Sequence, residues 1–154
     1  MKIMNPDIIE FLHQSNLIEG VNTSTNDAVK AWEYIASLDK IKVSDILEVH
    51  RLLMENLNSR IAGSFRKVNV RVGNYLCPNP GMVNRLLHQW IEEVNLPISD
   101  AKAVHVGFEK IHPFEDGNGR VGRILYNWHR IKAGLPIHII HEGKEQMEYY
   151  KWFS

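Results

Sequence analysis

The run His112-Pro113-Phe114-Glu115-Asp116-Gly117-Asn118-Gly119-Arg120, followed by Arg123, gathers an imidazole, a carboxylate, a glycine-rich turn and two guanidinium groups. An imidazole titrates close to neutral pH, so His112 suits a general base. Glycine inside a helix costs roughly 1 kcal/mol against alanine. Gly117 and Gly119 around Asn118 therefore predict a tight turn with outward-facing N–H groups. Val121, Ile124, Leu125, Trp128 and Ile131 fall on one stripe and predict a helix over 121–132. The turn then opens a helix N-terminus, where free N–H groups and the positive dipole end attract an anion. Arg120 and Arg123 add positive charge on the first turn. Asp116 beside such a site is placed to hold Mg²⁺, which bridges carboxylate and phosphate oxygens. Pro113 and Phe114 read as scaffold and Glu115 as a solvated side chain.

The elements around this run are mostly helical. Asn5-Pro6-Asp7 opens a first helix that carries Ile8, Ile9 and Leu12 and stops at Gly20. Asn22 to Asn26 is a polar loop, with Asn22-Thr23-Ser24 formally a glycosylation sequon. Residues 28–38 predict a helix with Trp32 and Ile35 inward. Ser44-Asp45 predicts a cap for a helix bearing Ile46, Val49, Leu53 and Leu57. Pro80-Gly81 precedes a helix with Val83, Leu86, Leu87, Trp90 and Val94, which Pro97 ends. Ser99-Asp100 caps the helix that delivers Val104, Phe108 and Ile111 to the motif. Gly134 and Pro136 end the motif helix, and residues 145–153 predict a last short one.

One stretch departs from the helical period. Val68, Val70 and Val72 alternate, and Gly73-Asn74 turns the chain into Tyr75-Leu76-Cys77. That is a hairpin signal over 65–78. A lone hairpin is marginally stable, so it must pack on the helices.

The chain has 154 residues, a length typical of one domain, and a formal net charge of zero. Zero charge gives no bulk basic field, so no nucleic-acid binding is expected. Cys77 is the only cysteine, which predicts a reducing, cytoplasmic setting. No secretion signal or bilayer-spanning run is read from the sequence, so no membrane partner is expected.

The motif residues resemble the Fic family signature H-x-F-x-[DE]-G-N-G-R-x-x-R. Every specified position is matched, at His112, Phe114, Asp116, Gly117, Asn118, Gly119, Arg120 and Arg123. The resemblance implies a mostly α, compact Fic-like domain over 1–154, with its motif at 112–123 and a small β-hairpin flap at 65–78 beside the active site. It implies transfer of a nucleoside monophosphate, most often AMP from ATP, onto a Tyr, Thr or Ser hydroxyl of a protein. In that scheme His112 is the base. The N–H groups of Gly117, Asn118 and Gly119 and the Asn118 side chain hold the α-phosphate. Asp116 holds Mg²⁺, Arg120 grips the β-phosphate and Arg123 the γ-phosphate. The flap, at Val70, Arg71 and Val72, is expected to dock the target's backbone as an added strand. Doc-like relatives that transfer phosphate carry Lys where this chain has Gly119.

A second motif lies far away in sequence. Ser15-Asn16-Leu17-Ile18-Glu19-Gly20 matches [ST]-x-x-x-E-[GN], the pattern of the Fic inhibitory helix. The resemblance makes residues 1–20 that helix and predicts that Glu19 pairs with Arg123 where a γ-phosphate would bind. The same residues would serve the reverse reaction, removal of AMP from a modified protein. A non-catalytic nucleotide- or peptide-binding module is a third reading, disfavoured because binding alone has no need of His112. Donor nucleotide, target and homo-oligomerisation stay open at this level.

Tyr149-Tyr150 resembles the paired tyrosines that help line the nucleotide pocket in many Fic domains, with core packing as the equal alternative. His138 and His141 have H-x-x-H spacing but no third ligand nearby in sequence. His105, one heptad before His112, reads as a packed or partly exposed helix residue, and Trp90 and Trp128 as core.

Overall fold

The computed structural model describes residues 5–22 and 24–154. Residues 1–4 of the N-terminal segment and Thr23 of the sequon lie outside the described residues. The order is α1 (Pro6–Ile18), α2 (Asn26–Ala36), α3 (Val43–Met54), β1 (Arg71–Val72), β2 (Tyr75–Leu76), α4 (Val83–Val94), α5 (Ala101–Ile111), α6 (Asn118–Lys132) and α7 (Lys144–Tyr150). Short 3₁₀ turns precede α4 at Pro80–Met82 and follow α7 at Lys151–Phe153.

α6 forms the axis, and most of its length is buried. Phe108 of α5, Trp32 and Ile35 of α2, Ile46, Val49 and Leu53 of α3, and Leu87 and Trp90 of α4 join one core with its Val121, Ile124, Leu125 and Trp128. Each such side chain contributes about 1.5–3 kcal/mol by burial. A helix enclosed this fully must also satisfy its polar side chains. Asn127 accepts from His138 N–H at 2.8 Å and donates to its carbonyl at 3.1 Å, and Trp128 donates to Leu38 O at 3.2 Å.

α1 starts as its sequence predicts, with the Asn5 side chain accepting from Asp7 N–H at 2.8 Å. Its end is a Schellman turn. Gly20 takes φ 69°, its N–H donates to Leu17 O, and Val21 N–H donates to Asn16 O. This closure makes Glu19 the capping residue and fixes where its side chain leaves the chain.

Three expectations are corrected. The start of α3 is held not by Ser44 but by Asp45, whose carboxylate accepts from Lys42 N–H at 2.8 Å and from the Tyr34 hydroxyl at 2.5 Å. The hairpin pairs only Arg71 with Leu76 and Val72 with Tyr75, so Val70 lies just outside β1. Its carbonyl still accepts from Cys77 N–H at 3.0 Å. The motif helix begins at Asn118, three residues earlier than the apolar stripe suggests, so Gly119 is helical and only Gly117, at φ 88°, needs the left-handed region.

Candidate active site

The motif turn is held from inside. Asn118 Oδ1 accepts from Phe114 N–H at 2.8 Å, and its Nδ2 donates to Phe114 O at 2.7 Å. This corrects the assignment of the Asn118 side chain to phosphate: both its polar atoms serve the loop backbone. Phe114 is fully buried and stacks on His50, with ring centroids 3.7 Å apart. His50 accepts from Gly63 N–H through Nδ1 at 2.9 Å, which leaves Nε2–H to donate to Asp116 O at 2.8 Å. Burial, followed by the Arg120 charge, lowers its pKa and favours the neutral ring this bridge requires.

His112 caps α5 in the left-handed region, at φ 51° and ψ 63°. It is the one non-glycine residue with positive φ among the described residues. Its Nδ1 lies 3.1 Å from Glu109 O, a carbonyl that can only accept. Nδ1 therefore carries the proton and Nε2 the lone pair. Burial lowers the pKa of His112, and the nearby Arg66 charge adds to the shift. Arg66 Nε donates to the His112 carbonyl at 2.6 Å.

The N-terminus of α6 has no side-chain cap, and the Val121 N–H bond to Gly117 O is the first to close. The N–H groups of Asn118, Gly119 and Arg120 thus form the orphan set at which an anion is stabilised. Arg120 is buried, with Nη2 3.1 Å from Met54 Sδ and Nε without a partner. Arg123 is more enclosed still. Nε donates to Ser15 Oγ at 2.8 Å, Nη2 to Ser15 O at 3.2 Å and to Glu19 Oε1 at 2.7 Å, and Nη1 to the Tyr149 hydroxyl at 3.4 Å. Glu19 Oε1 also lies 2.2 Å from where a Cβ on Gly119 would stand. The glycine is there for space, and the carboxylate rests on the first turn of α6.

Asp116 is exposed, and one of its oxygens accepts from Gly117 N–H at 2.8 Å. A magnesium ion held by one carboxylate, substrate phosphates and water suits this arrangement. No cluster of three or more His, Cys, Asp or Glu side chains suited to a metal occurs among the described residues. Glu115, read as solvated, pairs with Arg60 at 2.6 Å on the surface.

The tyrosine pair divides. Tyr149 is buried in a small cluster with Ile18 and Ile140, and its hydroxyl lies 2.7 Å from His105 Nε2. Tyr150 is exposed and lines a groove of about 750 Å³ with Val72, Tyr75, Lys110 and Phe153. Arg71 is exposed, and Val70 and Val72 are half-buried. His138 meets the Tyr126 hydroxyl and His141 meets Glu145, so the two histidines serve different partners.

Sequence reading passed over His50, Arg66 and Glu109. His50 carried a signal: it is a polar residue on the buried Ile46, Val49, Leu53 stripe of α3. Glu109 is 6% exposed, beside Phe108 on α5, and one carboxyl oxygen has no partner. Burial pushes its pKa up to about 8, against the opposing pull of Arg123 and with a further push from Glu19. Arg66 had no sequence signal.

No helix among the described residues is long and apolar enough to cross a membrane. The Fic/DOC family model matches residues 40–129. The chain is 34% identical over 123 residues to the protein adenylyltransferase Fic of Aedes aegypti, and 35% over 122 residues to that of Drosophila erecta. Each match covers 75% of this chain and 24% of the relative, so the chain spans about a quarter of these relatives. A Fic domain containing signaling protein from Bacteroides thetaiotaomicron superposes with a TM-score of 0.79 at 20% identity, over 93% of this chain and 69% of that one. Fic-1 from C. elegans gives 0.78 at 24% identity, over 97% and 55%. With its motif, helical frame and flap hairpin in this arrangement, the chain belongs to the Fic/DOC family.

Proposed function

We propose that this domain is an autoinhibited protein adenylyltransferase. It moves AMP from ATP to a Tyr, Thr or Ser hydroxyl of a target whose backbone adds to the flap edge at Val70, Arg71 and Val72. The relatives' shared description as protein adenylyltransferases supports the reaction class. The acceptor oxygen attacks the α-phosphorus while its proton passes to His112 Nε2. The bond from that phosphorus to the β-phosphate oxygen breaks, and pyrophosphate leaves with the electron pair. A neutral ring with Nδ1–H fixed on Glu109 O is in the correct tautomer for this step. The orphan N–H groups of α6 hold the α-phosphate and face the charge that develops there. Arg120 and Arg123 bind the β- and γ-phosphates. Mg²⁺ bound at Asp116 would neutralise phosphate charge and help the leaving group. Tyr150 and the groove beside the flap suit the nucleoside end.

The observation that carries the autoinhibited reading is the Glu19 carboxylate on the first turn of α6, bonded to Arg123 at 2.7 Å. Carboxylate and γ-phosphate would compete for one guanidinium, beside the helix end that holds the α-phosphate. Arg123 is 2% exposed and Glu19 37%. The pair therefore lies between exposed pairs and fully buried ones, and its loss costs about 1–3 kcal/mol. At 1.4 kcal/mol per tenfold, Glu19→Gly should raise transfer roughly tenfold to a hundredfold. Label transfer from α-labelled ATP with Mg²⁺ tests this, with Glu19→Gly, His112→Ala as the blank. Unchanged transfer in Glu19→Gly with ATP binding intact would refute autoinhibition. No label in any variant would refute the transferase.

A further inference from the structure

Arg66 is a buried cation with no carboxylate. It is 4% exposed, and no salt bridge to it occurs among the described residues. Burying an unpaired guanidinium costs several kcal/mol unless its donors are satisfied. Here backbone carbonyls satisfy them. Nε donates to His112 O at 2.6 Å and Nη2 to Ile111 O at 3.1 Å. Nη1 donates to Val68 O at 2.8 Å, and Nη2 also to Pro78 O at 2.6 Å. The Arg66 main-chain N–H adds a bond to Pro113 O at 2.9 Å.

These acceptors fall into two groups. Ile111 and His112 close α5, where orphan carbonyls and the negative dipole end favour a cation. Val68 leads into β1 and Pro78 leaves β2, so they are the two legs of the flap. His112 needs external support, since its left-handed backbone costs roughly 1–2 kcal/mol. A planar fork of five donors can reach both groups at once. A lysine ammonium, with donors on one nitrogen, cannot span them.

Resting on the transferase reading above, we infer that Arg66 is a positioning residue that joins the main chain of the base His112 to both legs of the flap. A target strand docked on β1 is thereby registered to the nitrogen that takes its proton. The role belongs to protein acceptors. Water as acceptor needs His112 but no flap.

Arg66→Lys in the Glu19→Gly background tests this by amide exchange and by acceptor choice. The expected result is a rise of at least tenfold in exchange of both His112 N–H and Cys77 N–H, with α4 amides unchanged. Transfer to protein should fall at least tenfold more than breakdown of ATP to AMP by water, at near-constant ATP affinity. Pro78→Gly, which leaves Arg66 intact and loosens one leg, should show the same acceptor split in milder form and keeps the test open if Arg66→Lys does not fold. Arg66→Gln should move the acid limb of the rate profile to higher pH, since a cation near the imidazole is lost, while Arg66→Lys should not. Exchange that rises in the flap while His112 stays protected would overturn the inference. So would equal losses with both acceptors. A Glu19→Gly parent that transfers nothing would tell against the activity alone, because the exchange result still decides the clamp.

Discussion

Glu109 should give this domain an alkaline stability slope of its own. Its carboxyl lies buried against Gly122, with one oxygen unpartnered, and its pKa stands near 8 against an ordinary value of 4.5. Folding therefore takes up a proton at this group. A group whose pKa is raised by folding stabilises fully below its unfolded pKa, and that contribution is lost as pH rises through the folded one. The loss runs from pH 4.5 to about 8. His50, His105, His112 and His138 act oppositely. Their pKa values are lowered, chiefly by burial and for His105 to about 3, so their contribution is present above 6.5 and fades as pH falls. Stability should peak near neutral pH, where the gain from the histidines and the loss from Glu109 balance. Between pH 6.5 and 8 the Glu109 proton, at 1.36 kcal/mol per pH unit and half titrated at its folded pKa, removes about 1.5 kcal/mol, which the histidines partly offset. Urea unfolding at pH 6.5, 7.2 and 8.0 should show the stability of the parent falling by about that amount relative to Glu109→Gln. Glu19 raises the Glu109 pKa, so Glu19→Gly should shift the slope to lower pH. Parallel slopes in the parent and Glu109→Gln would refute the assignment.

Gly122→Ala should destabilise the protein by about 1–3 kcal/mol, although helix propensity alone favours alanine by about 1. The new methyl would stand 2.0 Å from Glu109 Oε1 and 3.1 Å from His105 Cε1, and thermal unfolding of Gly122→Ala against Gly122→Ala, Glu109→Ala should show partial rescue. Asn118→Ala should cost about 2–4 kcal/mol, because it strands the buried N–H and C=O of Phe114. Asn118→Asp keeps only the acceptor and should fall between, as denaturant midpoints would show. His50→Phe should keep the stack on Phe114 but lose both bridging bonds, lowering stability by about 1–3 kcal/mol and raising amide exchange at Gly63.

Much of the fold was legible because most helices among the described residues carry clear apolar periods, with plain caps at Asn5 and Asp100. Type and spacing singled out His112, Asp116, Gly117, Arg120 and Arg123, and the structure places them together at the turn between α5 and α6 and on the first turns of α6. What escaped was set by tertiary contact. The glycines at 119 and 122 look like turn or breaker residues, yet both are helical and are small because a carboxylate from another helix fills the space. The hairpin alternation extends to Val68, but Arg66 draws the Val68 carbonyl away from strand pairing. Asn118 looked like a phosphate ligand because local sequence does not reveal that Phe114 takes both its side-chain atoms.

If the Glu19 contact is inhibitory, the fold limits how it is relieved. α1 is part of the main core: Phe11 and Leu12 are buried in it, and Phe11 meets Trp32 edge-on at 6.0 Å. Ile18 is buried against Ile140 and Tyr149 in the second cluster. At about 1.5–3 kcal/mol each, these three side chains contribute about 4.5–9 kcal/mol. A domain of this size has about 5–15 kcal/mol in total. Detaching the helix would therefore cost most of the stability of the fold, whereas freeing the carboxylate costs about 1–3 kcal/mol. The cheaper route is rotation of the Glu19 side chain, or unwinding of the Schellman turn at Gly20, with α1 still in place. Leu12→Ala should accordingly lower stability by about 2–5 kcal/mol without raising transfer per folded molecule, while Glu19→Gln should raise transfer and lower stability by no more than the roughly 1–3 kcal/mol of the pair. Thermal unfolding and label transfer on the same two variants decide between the routes. Activation by Leu12→Ala, or a folded and active domain lacking residues 1–18, would show that the helix leaves as a unit.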